Sequence, residues 1–350
     1  MTTVARILKF KTGFALLLLL VGWGAVPCMA APASADLVVY TYDSILAQGG
    51  LGPAIFPLFE KKCGCRVRAV SLGDGGQLLS RLESDRRQGK VVADLVLGID
   101  TLTFAQGQGY FQSWGKWKPK SWKWIRSDRQ REAAPGFLPL DFGYLAFIAD
   151  SEVMKRERLS LPTKLSDLLA PQWRRNIILE DPRTSLPGLG FVLWVDSVMS
   201  PSAFQSYFTG LKTQWLTLAP GWDSAYQLFL KKEAPLVWSY TTSQAYHQEH
   251  GEPGRFAVMF DEGQPLWMEG TAWVNTAHES RVKEFFEFLL SEEVQKLIPR
   301  TNWMLPVRKG VKLPVSFQNL PEPKKVIHFS TSPSEVDDRV KLWKSALQGR

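Results

Sequence analysis

The chain has 350 residues, 45% hydrophobic and 22% charged, with 42 Lys and Arg against 34 Asp and Glu and a formal net charge of +8. At about 100–200 residues per domain this is room for two domains or one large one. Collagen, coiled coil, disulfide-dense miniprotein and polytopic membrane protein are excluded by composition. Fourteen Trp and eight Tyr are the unusual part of the inventory, while four His and three Cys leave little material for metal centres.

The N-terminus carries Arg6, Lys9 and Lys11 ahead of an apolar run from Phe14 to Val21, then Ala33-Ser34-Ala35. Basic region, apolar run and small-residue A-x-A site are the parts of a secretory signal, and the apolar run falls short of the ~20 residues a membrane span needs. Residues 1–35 are therefore predicted to be a signal peptide and the mature chain to begin at Asp36. Its loss removes three basic and no acidic residues, lowering the net charge from +8 to +5. That weakens the case for a polyanionic partner, and nucleic acid is not expected. Cys28 leaves with the signal, so Cys63 and Cys65 remain. A C-x-C spacing lies near the upper limit of bridgeable distance in an extended chain, although Gly64 can kink it. A bridge is left open.

In chain order, residues 37–42 read as a strand, 53–61 as a helix and 65–70 as a second strand. Gly73-Asp74-Gly75-Gly76 opens a helix with Leu78, Leu79 and Leu82 on one face, and 91–97 is a third strand. Further strands are predicted at 145–148, 176–179 and 236–240, with helices at 188–199 and from 284 toward 298. The alternation predicts an α/β protein of two lobes on parallel sheets. Polar and aromatic turns gather just beyond strand ends, where open α/β sheets bind ligands.

The chain contains no G-x-S-x-G elbow, H-E-x-x-H motif or P-loop, so no enzyme is expected. His247-Gln248-Glu249-His250 reads as a solvated polar turn rather than a metal site. Tyr42-Asp43-Ser44, Asp74-Gly75, Asp181 to Gly190, Gly221-Trp222, Tyr240 to Tyr246 and Asn302-Trp303 all fall at predicted element ends. Aromatic faces stabilise cations by about 0.5–2 kcal/mol each, carboxylates beside them complement positive charge, and helix N-termini hold phosphate. Together they suit a small, flat, cationic ligand, with or without a phosphate. A separate stretch interleaves Trp114, Trp117, Trp122 and Trp124 with Lys116, Lys118, Lys120 and Lys123, followed by Arg126, Arg129 and Arg131. It reads as a surface connection whose indoles pack on a lobe, with a docking surface as the alternative.

Several segments together resemble one family. Val39-Tyr40-Thr41-Tyr42-Asp43-Ser44, Asp74-Gly75, Ala93 to Gly98 and Asp141-Phe142-Gly143-Tyr144 are similar to segments of the thiamine-binding periplasmic proteins of bacterial ABC transporters. So are Asp181 to Ser185 with Pro187 to Gly190, Gly221-Trp222 with Ala225-Tyr226, Ser239 to Ser243 with Ala245-Tyr246, and Asn302-Trp303-Met304 with Pro306. Their order and spacing agree over nearly all of the mature chain. The resemblance implies a two-lobed type II periplasmic solute-binding protein that closes on thiamine, thiamine phosphate or thiamine diphosphate. It would act as a monomer without a cofactor, delivering its ligand to an inner-membrane permease driven by a separate ATPase. By this likeness Tyr42, Trp222, Tyr240, Tyr246 and Trp303 would wall the ligand, and Asp74, Gly75 and Ser185 would add polar contacts, Ser185 near a phosphate. The N-lobe would comprise 36–140 and 260–309, and the C-lobe 141–259 and 310–350. Gly49-Gly50 departs from the pattern, since relatives carry a Trp shortly after the Tyr-Asp-Ser segment. Three alternatives remain: a receptor of the same fold for another ligand such as ferric ion, a secreted enzyme, and an envelope interaction protein using the Trp/Lys stretch. Against iron, Tyr240 is followed by Thr241 and not by a second Tyr.

Overall fold

The computed structural model describes residues 36–329 and 332–348, so the expected signal peptide lies outside it. No helix among the described residues is long and apolar enough to cross a membrane. The strands in chain order are β1 (Leu37–Thr41), β2 (Val67–Ser71), β3 (Leu95–Asp100), β4 (Phe137–Asp150), β5 (Ile177–Glu180), β6 (Trp215–Ala219), β7 (Leu236–Tyr240), β8 (Arg255–Val258), β9 (Gln264–Trp273), β10 (Leu305–Pro306) and β11 (Val326–Ile327).

β1 has no polar–apolar alternation because both faces are covered, and all five of its residues are buried. It pairs in parallel with β2 on one side and β3 on the other. The crossover helix Leu51–Cys63 buries Ile55, Phe56 and Phe59 and stops at Gly64, which takes the left-handed conformation at φ 61° that glycine adopts without a Cβ clash. That turn closes the bridge left open by the sequence: Cys63 and Cys65 are disulfide-bonded with Cα atoms 5.2 Å apart. The loop is so short that chain entropy gives it at most about 1–2 kcal/mol. A Cys63→Ser, Cys65→Ser double variant is therefore expected to lose no more than this in urea unfolding.

The strand order is β2-β1-β3-β9-β4-β7-β5-β6. β5 pairs in parallel with β6 and β7, but β9 is antiparallel to β3 and β4. The expectation of purely parallel sheets is thus corrected to a mixed sheet. β4 decides the architecture: its first half, Phe137 to Tyr144, pairs with β9, and its second half, Leu145 to Ala149, pairs with β7. One strand thereby belongs to the sheets of both lobes. Only 145–148 was legible as strand because Pro139, Asp141 and Gly143 interrupt the apolar run. Pro139 falls at a register irregularity, the place where a strand tolerates a residue without an N–H.

Most of the indoles pack. Trp194 stacks on Trp238 at 5.2 Å, both within a buried cluster with Phe147, Phe191 and Phe260, and Trp238 Nε1 donates to the Pro187 carbonyl at 2.8 Å. In the basic stretch, Trp114 meets Trp117, Trp122 and Phe286 at 5.7–5.9 Å, so these three indoles pack as expected. Trp124 is the exception, 44% exposed beneath Lys123, Arg308 and Lys309. The helix Pro333–Gln348 is tied to the neighbouring helices by Arg339 with Asp196 at 2.6 Å and by Lys212 Nζ donating to the Leu347 carbonyl at 2.6 Å.

Candidate ligand-binding site

The residues just beyond the C-terminal ends of β1, β2 and β7 converge with the loop at 302–304 around a cavity of about 570 Å³. Seven of the eight residues singled out in the sequence line it: Tyr42, Asp74, Gly75, Trp222, Tyr240, Tyr246 and Trp303. Ser185 does not. It is 1% exposed and caps the helix Leu186–Val198 by accepting from the Gly188 N–H at 3.4 Å. Its hydroxyl also bonds the carboxylate of Asp74, so Ser185 stands directly behind that wall residue at the first turn of the helix.

Tyr42 sits flat against Gly98. A Cβ at Gly98 would lie 2.0 Å from the Tyr42 ring, and Gly98 has φ +88°, so both space and backbone require glycine there. The Tyr42 hydroxyl donates to Glu269 Oε2 at 2.6 Å and lies 3.5 Å from Asn302 Oδ1. Burial and then the neighbouring Glu269 charge raise its pKa well above the ordinary phenol value, which keeps it a donor.

Trp222 opens the helix Trp222–Leu230 and stacks on Tyr226 at 4.7 Å. Its Nε1 donates to Ser239 Oγ at 2.7 Å. Behind it the Tyr226 hydroxyl bonds His247 Nε2 at 2.8 Å, and His247 Nδ1 bonds Glu252 at 2.7 Å. His247 is fully buried, and burial lowers its pKa against the opposing pull of Glu252. The solvated turn expected for the His-x-Glu-His run is therefore corrected: His247 is an interior support of the aromatic wall. Among the described residues no cluster of three His, Cys, Asp or Glu side chains is arranged to hold a metal ion. Trp303 has φ 52°, a left-handed conformation costing a non-glycine residue about 1–3 kcal/mol. Tyr246, edge-on at 5.0 Å, and Phe317, parallel at 6.5 Å, hold it there.

Asp74 spans the cavity's upper wall. Its Oδ1 accepts from the Leu186 N–H at 3.2 Å and its Oδ2 from the Trp222 N–H at 3.1 Å, so one carboxylate faces the first turns of two helices. Burial raises its pKa in spite of those bonds. At Gly75 a Cβ would strike Leu186 Cδ1 at 2.3 Å. Gly49 and Gly50 line the wall where relatives were expected to carry a Trp; a Cβ on Gly50 would meet the Ser44 carbonyl at 2.4 Å, so backbone forms the surface there.

Four carboxylates, Asp43, Asp74, Asp223 and Glu269, line the cavity, and no Lys, Arg or His does. Asp141 and Glu180 lie close behind, both buried and both with pKa values pushed well above the ordinary range by burial. A low-dielectric cleft of one sign focuses field, and here it favours a cation between aromatic faces. Sequence reasoning missed Glu269, Asn302 and Tyr226 as members of the site. Asn302 and Tyr226 lay inside quoted segments but without a chemical signal of their own. Glu269 sits in β9, a fully buried run, where a single carboxylate is the one available clue.

A two-lobed α/β fold whose cleft is lined by aromatics and carboxylates defines a solute receptor, a protein that holds its ligand without transforming it. The chain belongs to the bacterial extracellular solute-binding proteins, a family matching residues 91–329. It is 39% identical over 325 residues to the thiamine-binding periplasmic protein of Brucella abortus, covering 90% of this chain and 91% of that one. To the thiamine-binding periplasmic protein of Escherichia coli K12 it is 36% identical over 332 residues, covering 92% and 94%. Among solved structures, a periplasmic thiamin binding protein matches with a TM-score of 0.80 at 33% identity, over 91% of this chain and 98% of that chain.

Proposed function

We propose that this protein captures thiamine and its phosphates in the periplasm and delivers them to the permease of an ABC importer whose ATPase is a separate chain. The observation that carries the proposal is the pairing of aromatic walls with four lining carboxylates and no lining base. Thiamine joins an aminopyrimidine to a thiazolium with a permanent positive charge. Trp222, Tyr42, Tyr240, Tyr246 and Trp303 offer faces for both rings, and an aromatic face attracts such a cation. The phosphates of thiamine phosphate and diphosphate would meet the N-terminal ends of the helices Gly76–Arg87, Leu186–Val198 and Trp222–Leu230, which attract anions. The protein enters the periplasm through its residues 1–35 and works as a monomer.

Titration of the mature protein with thiamine, thiamine phosphate and thiamine diphosphate, followed by tryptophan fluorescence, tests this directly. Saturable quenching by thiamine is expected. A response to ferric ion with none to any thiamine form would overturn it in favour of another ligand class.

A further inference from the structure

Asp141 and Glu269 are direct cross-strand partners in the antiparallel pair of β4 and β9, an arrangement that sets side chains of one face about 4.5–5.5 Å apart at Cβ. Like charges placed so are destabilising in any sheet, and these two are buried: Asp141 is 0% and Glu269 7% exposed. Glu269 forms part of the cavity floor, and Asp141 stands next to it inside the sheet.

The hydrogen bonds around the pair are too few for two negative charges. Tyr42 donates to Glu269 Oε2, and Asn302 Nδ2 donates to Asp141 Oδ2 at 2.8 Å. Asp141 Oδ1 has no protein partner. The other polar or titratable groups that face the pair are Asp74 and Asp100, both acidic, and the Tyr240 hydroxyl. None of these is a cation. With no cation beside them, two carboxyls sharing such a site do not both ionise.

We propose that the Asp141–Glu269 pair holds one shared proton in the empty protein and releases it to solvent when a cationic ligand fills the cavity. The pair then carries two negative charges against the ligand's one positive charge, and the counter-ion is created by binding. This rests on the reading of the site as a thiamine receptor and adds a proton to its binding equilibrium.

Burial, opposed by the hydrogen bonds from Tyr42 and Asn302 and reinforced by Asp100 and Asp74, pushes Glu269 up to about 7. Burial and the Glu269 charge push Asp141 upward, against the Asn302 hydrogen bond. A cation within about 4–6 Å favours the ionised form, so the bound ligand pulls the pair back down. The sign follows. Below the pair's titration the ligand competes with a proton, so affinity rises with pH; above it the proton is already gone. In the empty protein a carboxyl whose folded pKa exceeds its unfolded value contributes stability that is full below the unfolded value and is lost as pH rises through the folded one. For Glu269 that window runs from the ordinary 4.5 to about 7.

The test is calorimetric titration of the intact mature protein with thiamine at pH 6 and pH 8, in buffers of different ionisation enthalpy, beside the uncharged isostere 3-deazathiamine. We expect thiamine to bind about tenfold more tightly at pH 8 than at pH 6 and to release close to one proton at pH 6. The isostere should release none and show no such dependence. In Glu269→Gln the proton release should vanish, and the loss in affinity should be at least tenfold greater for thiamine than for the isostere. In Asp141→Asn the release should also vanish, and thiamine should bind more tightly at pH 6 than it does to the wild type. Wild-type thiamine binding of equal strength at both pH values with no proton released overturns the proposal and leaves the receptor reading standing. Absence of thiamine binding at either pH overturns both.

Discussion

Replacing Trp222 and Trp303 together by Ala is expected to weaken thiamine binding by about a hundredfold. Each aromatic face in contact with a desolvated cation contributes up to about 2 kcal/mol, and every 1.4 kcal/mol is tenfold in affinity. The two indoles reach the cavity from different elements: Trp222 from a helix N-terminus on the far side of Asp74, Trp303 from the loop after the helix Glu292–Thr301. Neither can take over the other's contact. Both are held by neighbours that do not need the ligand, Tyr226 and Ser239 for the first and Tyr246 and Phe317 for the second. The wall is thus organised before binding, and the loss falls on affinity with little change in fold. Fluorescence titration measures it, with Trp124→Ala as the control, because that exposed indole lies on none of the cavity walls. An affinity within threefold of wild type in the double variant would falsify the assignment of these indoles to the ligand.

Gly98→Ala has the larger structural effect. The new Cβ would sit 2.0 Å from the Tyr42 ring on a backbone at φ +88°. Left-handed backbone costs a non-glycine residue about 1–2 kcal/mol, and forcing a carbon into a filled interior adds about 1–3 kcal/mol. Tyr42 cannot relieve the clash by a small rotation without giving up its bond to Glu269. A fall of about 2–5 kcal/mol in urea unfolding is expected, together with loss of thiamine affinity as the ring leaves the wall. Adding Tyr42→Ala should recover the steric part of the stability and none of the affinity, a coupling that a double-mutant cycle isolates. Additive stability changes would show that the two residues do not meet as described.

The parts of the site that were legible in the sequence are those with a local signal. Tyr42, Asp74-Gly75, Trp222 and Tyr240 each end or follow a strand or open a helix, where the change from apolar run to Gly, Asp and aromatic residues marks an element end. Ser185 carries the same signal, and the structure sets it one layer back, capping the helix Leu186–Val198 and bonded to Asp74. His247 looked polar and solvated in its run of His, Gln and Glu, yet it lies interior, because the bonds to Tyr226 and Glu252 compensate for its burial.

What the amino-acid sequence determined by itself was the alternation of strands and helices, the absence of a catalytic motif, and the aromatic and acidic character of the turns. These are consequences of local propensity and composition, which operate within a few residues of chain. The tertiary structure decided that β4 serves the sheets of both lobes, that β9 inserts antiparallel between β3 and β4, and that Asp141 and Glu269, 128 positions apart in the chain, become cross-strand neighbours under the cavity. Pairing across such a separation leaves no periodicity in either segment, because each strand is buried along its length and shows no polar–apolar alternation. The charge that such a pair places in the interior exists only once the sheet has formed.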